Sequence, residues 1–329
     1  MRLSFKQISY IREVARRGSI AAACNELRIS QSSVLAAIRI AEEDIGTTIF
    51  ARRAGHGIAI TPAGQRFLVS ARRFLAAGAE FERNMTEFSE HQTPILRVGC
   101  FSPFGALLIP PVLRRFIEVN GECEIVLLEG NQIELRNWLA NGSVDLVVMY
   151  DIALDQPSAA TPICKFPAHA LLRRDDPAAE QSEISMEELA KRPLILLDLP
   201  ETSTYLLALF DFVANRPKIG LRTRSYETIR SAVSNGFGAS VLNIRPGREA
   251  SPDGVDLRRV PISDPLRQPT LMVFDPYGDQ KPQYVRSFIL ILHQYLEDLG
   301  PENFAVAKKE YSGDLLSPKP AWNPSNSHH

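Results

Sequence analysis

Four absences set the limits before any motif is considered. The chain has four cysteines in 329 residues, at positions 24, 100, 123 and 164, with no C-x-x-C pair and no metal-ligand spacing. That excludes a disulfide scaffold and a zinc ribbon and leaves reduced thiols as the expectation. Six histidines are dispersed, two of them at the extreme C-terminus, and there is no H-E-x-x-H, G-x-S-x-G or P-loop run. No metal site, cofactor or catalytic residue is therefore expected, and the chain is not read as an enzyme. The opening MRLSFKQISYIREVARRGS lacks an apolar core followed by a small-residue cleavage site, and no stretch of 18 apolar residues occurs. We expect no export signal and no membrane partner, and so a cytoplasmic protein. Net charge is −1, which favours no class of partner.

What is present is unevenly placed. Residues 1–75 carry 12 Lys and Arg against 5 Asp and Glu, a net +7, so the remaining residues hold a net −8. A basic head on an acidic body suits a nucleic-acid-contacting module joined to a sensor.

Apolar residues Phe5, Ile8, Ile11, Val14 and Ala15 repeat at helical spacing and stop at Gly18. Ser19 is placed to cap a second helix and Ser30 a third, whose stripe is Val34, Ile38, Ala41 and Ile45 before Gly46. Two short strands, 49–50 and 58–60, flank the tip Arg52-Arg53-Ala54-Gly55-His56-Gly57, and Thr61-Pro62 opens another helix. Three helices and a basic ribbon predict a winged helix-turn-helix over residues 1–61.

The helix that follows, 62–92, places Phe67, Ala71, Phe74, Gly78, Phe81, Met85 and Phe88 at steps of four and three. A strict 3.5-residue repeat predicts a seam that pairs with a second copy, with packing on its own domain as the alternative. Beyond Thr93-Pro94, eight strand-like runs alternate with helical ones, which predicts an α/β domain with mainly parallel sheets over 93–298. The Pro-, Ser- and Asn-rich stretch 299–329 is expected to be without order.

In this order and spacing, Ser19, Ala22-Ala23, Leu27, Ser30-Gln31-Ser32-Ser33-Val34, Ile38, Glu42-Glu43, Ile45-Gly46, Phe50, Arg52-Arg53 and Thr61-Pro62-Ala63-Gly64 resemble the LysR-type transcriptional regulators. Gly142-Ser-Val-Asp145-Leu and Gly236-Phe-Gly238-Ala-Ser-Val-Leu add to the resemblance, which spans residues 3–298. It implies a two-lobed effector domain like a periplasmic binding protein, with a co-inducer cleft between lobes. We place lobe one at 94–163 with 267–298, lobe two at 164–266, and the crossovers near 161–165 and 266–268. It also implies a homodimer or homotetramer on double-stranded promoter DNA, with RNA polymerase as a further partner.

For DNA, the residues expected at the start of the reading helix are Ser30, Gln31, Ser32 and Ser33. Gln pairs with adenine and Ser with either base type, or the serines finish the cap or touch phosphate. Leu35-Ala36-Ala37 depart from the polar residues usual in the family. Leu35 and Ala36 can touch only thymine methyls, so specificity shifts toward Gln31, the wing and DNA shape. Arg39, Arg52, Arg53 and His56 are the phosphate or minor-groove candidates.

In the cleft, Cys100, Phe101 and Ser102 follow one strand, and Tyr150 and Asp151 follow another. Thr202, Ser203 and Thr204 open a helix, as do Tyr226 and Thr228, and Asn243 and Arg245 follow a short strand. This set predicts a small polar, anionic metabolite, with Arg245 as a carboxylate clamp. The alternative is a redox-responsive regulator sensing through Cys100 and Cys164.

Overall fold

The structure is a computed structural model that describes residues 2–52, 58–87, 95–153, 160–246, 257–307 and 314–320. The chain divides into two compact units, Met1–Pro94 with Ala140–Ser143, and Ile95–Leu139 with Val144–His329.

In the first unit each helix begins and ends where its sequence signals stand. Helix α1 (Phe5–Arg17) starts with a capping box, in which Ser4 accepts from the Gln7 amide and Gln7 accepts from the Ser4 amide. It ends at Gly18, whose φ of +62° a side chain rarely adopts. Ser19 caps α2 (Ile20–Leu27), and Ser30 caps α3 (Gln31–Ile45) by accepting from the Ser33 amide at 3.3 Å. Strands β1 (Phe50–Arg52) and β2 (Ile58–Ile60) pair antiparallel, with Phe50 opposite Ile60. The Glu42 carboxylate ties α3 to this ribbon, accepting from the amides of Ile49 at 2.7 Å and Phe50 at 3.3 Å. Thr61 caps α4 (Pro62–Glu87), accepting from the Gly64 amide. Gly64 is required there, because a Cβ would lie 2.2 Å from the Ile49 carbonyl oxygen. Ile8, Ile11, Val14, Ala23, Val34, Ala37, Ile38, Ala41 and Ile49 form the core.

The repeat along α4 divides where the sequence suggested one seam. Ala71 is buried in the core of this unit, together with Leu75, which was not part of the repeat, and Phe67 packs against it. A Cβ on Gly78 would sit 2.2 Å from the Phe5 ring, and the Phe74 ring lies 6.0 Å from that ring. Part of the repeat thus packs on its own domain, the alternative open to it, because α4 lies along α1 within the same unit. Phe74 and Phe81 keep exposed faces, at 42% and 63%. Phe88 lies outside the described residues.

The second unit contains two mixed sheets. The first is built from β3 (Ile95–Phe101), β4 (Glu124–Gly130), β5 (Leu146–Tyr150), β6 (Ala160–Lys165) and, much later in the chain, the strand Thr270–Phe274. Helices α5 (Ser102–Leu107), α6 (Ile109–Asn120) and α7 (Gln132–Asn141) connect its early strands. The second sheet uses β7 (His169–Arg173), β8 (Leu194–Leu197), β9 (Ile219–Thr223), β10 (Ser240–Leu242) and β11 (Leu257–Pro261). Helices α8 (Met186–Leu189), α9 (Thr202–Ala208) and α10 (Tyr226–Ser234) lie between them. The chain then returns through β12 (Thr270–Phe274) and closes with α11 (Gln283–Leu299) and α12 (Pro301–Phe304).

The strand order in the first sheet is β4-β3-β5-β12-β6. β3 runs parallel to β4 and β5, and β12 runs antiparallel to β5 and β6. In the second, β7 lies between β10 and β11, all antiparallel, and β8 pairs parallel with β9. A bridge from Leu194 to Ala239 and the Ser240 hydroxyl, which donates to the Ile195 carbonyl at 2.7 Å, join these two parts. Wholly apolar runs such as Leu146-Val-Val-Met-Tyr150 are buried on both faces.

Four expectations change here. The sheets are not mainly parallel: four of the seven described strand pairings of this unit are antiparallel, because β12 and β7 each run against both of their neighbours. Residues 161–165, expected as a crossover, form most of β6, because they find a ladder partner in β12. The chain leaves the first sheet at 166–168 instead, where the Phe166 amide donates to the Pro269 carbonyl. Strands β6 and β11 were not expected at all. The tail is not wholly without order: Pro301–Phe304 is helical, and Phe304, Ala305 and Leu315 are buried. Leu315 and Ser317 hydrogen-bond along the free edge of β6, through Lys165 N to Leu315 O and Ser317 N to Ile163 O, both at 2.8 Å. An edge strand supplies that ladder, which composition does not reveal. Residues 308–313 and 321–329 lie outside the described residues.

Candidate nucleic-acid interface and effector cleft

On α3 the helical period separates core from surface. Val34, Ala37, Ile38 and Ala41 are buried, while Gln31, Ser32, Ser33, Leu35 and Arg39 are exposed and Ala36 is half-buried. The exposed residues follow a stretch capped by Ser30, so the N-terminal turns of the helix present one side-chain face. Residue 37, counted with Leu35 and Ala36 as a departure from the family, belongs to the core instead. The Ser30 hydroxyl oxygen lies 2.9 Å from that of Ser32 and 2.8 Å from that of Ser33. Ser30 is the cap, and the Ser32 and Ser33 hydroxyls rest against it. Arg39 is 75% exposed, and its Nε lies 3.8 Å from Glu43, a loose ion pair that leaves the guanidinium at the surface. Arg52 ends β1; Arg53 and His56 lie outside the described residues.

Between the two sheets of the second unit, the ends of β3, β5, β8 and β10 meet the first turns of α5, α9 and α10. Phe101, Tyr150, Thr202, Tyr226 and Asn243, all predicted, line one narrow cleft there, together with Pro103, Ile152, Leu197, Leu206, Leu242 and Ile244. The cleft holds only about 20 Å³. Two buried hydroxyls in it, on Tyr150 and Thr202, have no hydrogen-bond partner. Burial holds the Tyr150 hydroxyl in its neutral form, far above its ordinary pKa. Asn243 donates to the Phe166 carbonyl at 2.9 Å and to the Tyr205 hydroxyl at 3.0 Å. The Tyr226 hydroxyl donates to the Ile244 carbonyl and accepts from Arg259, which also meets His169 at 2.8 Å. Burial, then the charge of Arg259, pushes the His169 imidazole well below its usual pKa.

Behind the cleft, aromatic rings pack in series, two pairs edge to face and the third tilted. Phe104 lies 5.0 Å from Tyr150, Tyr150 lies 5.7 Å from Phe166, and Phe166 lies 5.4 Å from Phe304 of the tail. A second, larger cavity of about 490 Å³ adjoins, sharing Ile152 and lined also by Glu201, Thr204, Tyr205, Phe212, Leu266 and Arg267. Glu201 is held by an ion pair with Arg136.

The other predicted cleft residues are placed elsewhere. Arg245 does not line the narrow cleft: it donates to the Glu302 carbonyl at 2.8 Å, and its own amide donates to the Phe304 carbonyl, because the ordered tail supplies these acceptors. Asp151 accepts from the Thr270 amide at 2.8 Å and so fixes β12 beside β5. Thr228 is an exposed residue of the first turn of α10. Ser102 and Ser203 are half-buried on their helices, and neither lines the narrow cleft, while Thr204 lines the larger cavity. Cys100 is in the core, its thiol pushed up to about 12 by burial and then by Glu129, and burial likewise raises the Cys164 thiol well above its ordinary value. The apolar lining residues carry no local sequence signal: Leu197 and Leu242 end strands, Ile152 and Ile244 follow strands, and Pro103 and Leu206 lie on α5 and α9.

Among the described residues no helix is long and apolar enough to cross a membrane, and no group of His, Cys, Asp and Glu is arranged to hold a metal.

Comparison with known proteins assigns both units. Residues 5–65 match the bacterial regulatory helix-turn-helix protein, lysR family, and residues 89–297 match the LysR substrate binding domain. The chain is 28% identical to the HTH-type transcriptional regulator cbl of Klebsiella aerogenes, over 75% of this chain and 80% of that protein. It is 26% identical to the uncharacterised regulator YcgK of Bacillus subtilis, over 76% and 83%. Among solved structures, HinK, a LysR family transcriptional regulator from Pseudomonas aeruginosa, superposes with a TM-score of 0.56 at 29% identity, covering 89% of this chain and 98% of that one. With the helix-turn-helix matched at its head and the effector domain matched over most of the remainder, the chain belongs to the LysR family of DNA-binding transcriptional regulators.

Proposed function

We propose that this regulator responds to a small hydroxy acid or similar anionic metabolite taken up between the two sheets of its effector domain. The observation that carries the reading is the pair of partnerless buried hydroxyls on Tyr150 and Thr202, which a ligand oxygen would satisfy. An unsatisfied buried polar group costs about 1–3 kcal/mol, so pairing both strongly favours the bound form. The anionic part is assigned to Arg267, which replaces Arg245 in that role. Arg267 lines the adjoining cavity together with Tyr205, whose hydroxyl meets Asn243 of the cleft, and it rests on the Asp151 carbonyl at 3.1 Å, a contact that a ligand carboxylate would replace. A cleft of about 20 Å³ is too small for any metabolite, so binding selects a more open arrangement of the two sheets. That opening is the change passed on to DNA, with two or more copies joined through the exposed part of α4 around Phe74 and Phe81.

The redox alternative has less support. Burial holds Cys100 and Cys164 as thiols at neutral pH, and the thiolate is the reactive form.

The test is a thermal-shift series on the full chain with C2–C5 hydroxycarboxylates and their methyl esters. Acids are expected to raise the Tm where esters do not, with the rise lost in Thr202→Val and in Arg267→Ala. A rise that survives both substitutions, or no rise with any acid, overturns the assignment.

A further inference from the structure

The reading helix shows an apolar side chain where a DNA-facing surface is ordinarily polar. Leu35 is 46% exposed, although the aliphatics on either side of it, Val34 and Ile38, are buried. It stands one turn after Gln31 and one turn before Arg39, so these three share a face, with Ser32 and the half-buried Ala36 beside them. The Ser30 hydroxyl meets those of Ser32 and Ser33 at 2.9 and 2.8 Å, and it also accepts from the Ser33 amide. These two contacts use two of the three hydroxyl protons, so one proton and the lone pairs of Ser32 and Ser33 stay open to DNA. The middle of the reading face, at Leu35 and Ala36, is aliphatic, with a hydrogen-bonding side chain before it and a cation after it.

The second helix of a helix-turn-helix lays its N-terminal turns in the major groove. The apolar group exposed on base edges in that groove is the pyrimidine 5-methyl. We propose that Leu35, supported by Ala36, reads pyrimidine 5-methyl groups, so that this protein discriminates thymine, and equally 5-methylcytosine, from pyrimidines without the methyl. Burying one methyl against Leu35 is worth a factor of about four in affinity per half-site. The inference rests on the DNA binding of the family and is independent of the effector reading.

The test begins by selecting a duplex on the full-length protein from a random-sequence library. Each thymine of the selected duplex is then replaced, one at a time, by deoxyuridine, which differs only in lacking the 5-methyl. At one or two positions per half-site the replacement should weaken wild-type binding about fourfold, and Leu35→Ser should bind the two duplexes equally. Placing 5-methylcytosine for cytosine at those positions, in a duplex carrying the G·C pair, should strengthen wild-type binding by a similar factor and leave Leu35→Ser unmoved. Leu35 is at the surface, so the variant folds, which an unchanged salt dependence on the deoxyuridine duplex confirms. Equal wild-type binding of thymine and deoxyuridine duplexes at every position overturns the proposal. So does a methyl preference that persists in Leu35→Ser.

Discussion

The reading face of α3 and the cleft between the two sheets are opposite kinds of surface. The first is already formed: Gln31, Leu35 and Arg39 stand out from a helix whose other side is locked into a core by Val34, Ala37, Ile38 and Ala41. The second is shut: its space is about 20 Å³, its lining is mostly aliphatic and aromatic, and two of its hydroxyls lack partners. A formed surface can bind its partner with little rearrangement, and its specificity depends on single exposed side chains. A shut cleft binds only by changing shape, and the energy of that change is available as a signal. The difference fits a division of labour in which the helix supplies the address and the cleft supplies the condition.

The largest expected effect breaks the comparison on the cleft side. Phe304 belongs to the tail, yet it is buried against Phe166, in the ring cluster that backs the cleft. Phe304→Ala should cost about 3–5 kcal/mol in a urea titration of the effector unit. A loss below about 1 kcal/mol would mean that the tail is merely laid on the surface.

Next in size is a pair of substitutions on α4. Ala71→Glu places an unpaired charge in the core and should lower the stability of the DNA-binding unit by several kcal/mol. Phe81→Glu, on an exposed position, should leave stability within about 0.5 kcal/mol and instead reduce self-association by sedimentation. Equal thermal effects from the two would restore the single-seam view of this helix.

A third effect is pH-dependent. His169 is buried with its pKa held well below the usual 6.5, so the unfolded chain binds a proton that the folded chain refuses. Stability is then constant above about pH 6.5 and falls with pH below it, by at most about 1.4 kcal/mol per unit, until the folded pKa is reached. Glu13 and Asp176, whose pKa values are lowered chiefly by hydrogen bonds from Arg16 and Arg192, lose their contribution only at more acid pH, below the ordinary carboxylate range. His169→Gln should flatten the unfolding midpoint between pH 6.5 and 5, measured by urea titration. An unchanged slope would remove His169 as its cause.

The smallest effect concerns the reading face. Arg39→Ala should leave folding unaltered and reduce the salt slope of DNA binding by about one, as loss of one phosphate contact does. An unchanged slope would assign Arg39 to Glu43 instead.

Legibility differed between the two regions for a physical reason. In the first unit the caps Ser4, Ser19, Ser30 and Thr61 act within three residues of themselves, and the buried stripe of α3 repeats every turn, so short windows of sequence carry the structure. The alternating strands and helices of the second unit were legible in the same way. The cleft was half legible. Tyr150, Thr202, Tyr226 and Asn243 were found because strand ends and helix starts converge in such folds. That Arg245 turns to the tail was not legible, because Glu302 lies 57 positions away in a stretch whose composition suggested no order. β6 and the 315–317 segment share that cause, since each is ordered by a partner distant in sequence. The α4 repeat was read correctly as apolar, but periodicity cannot say whether the covering surface is Phe5 or a second chain.

The central claim is that address and condition are separate, and one experiment addresses it directly. Sequence preference and effector response are measured together, by titrating the selected duplex with and without the hydroxy acid that raises the Tm, for wild type, Leu35→Ser and Thr202→Val. The account predicts that Leu35→Ser loses the thymine preference and keeps the effector-induced change in DNA affinity, while Thr202→Val keeps the preference and loses the change. A Thr202→Val protein with altered base preference, or a Leu35→Ser protein deaf to the effector, would contradict it.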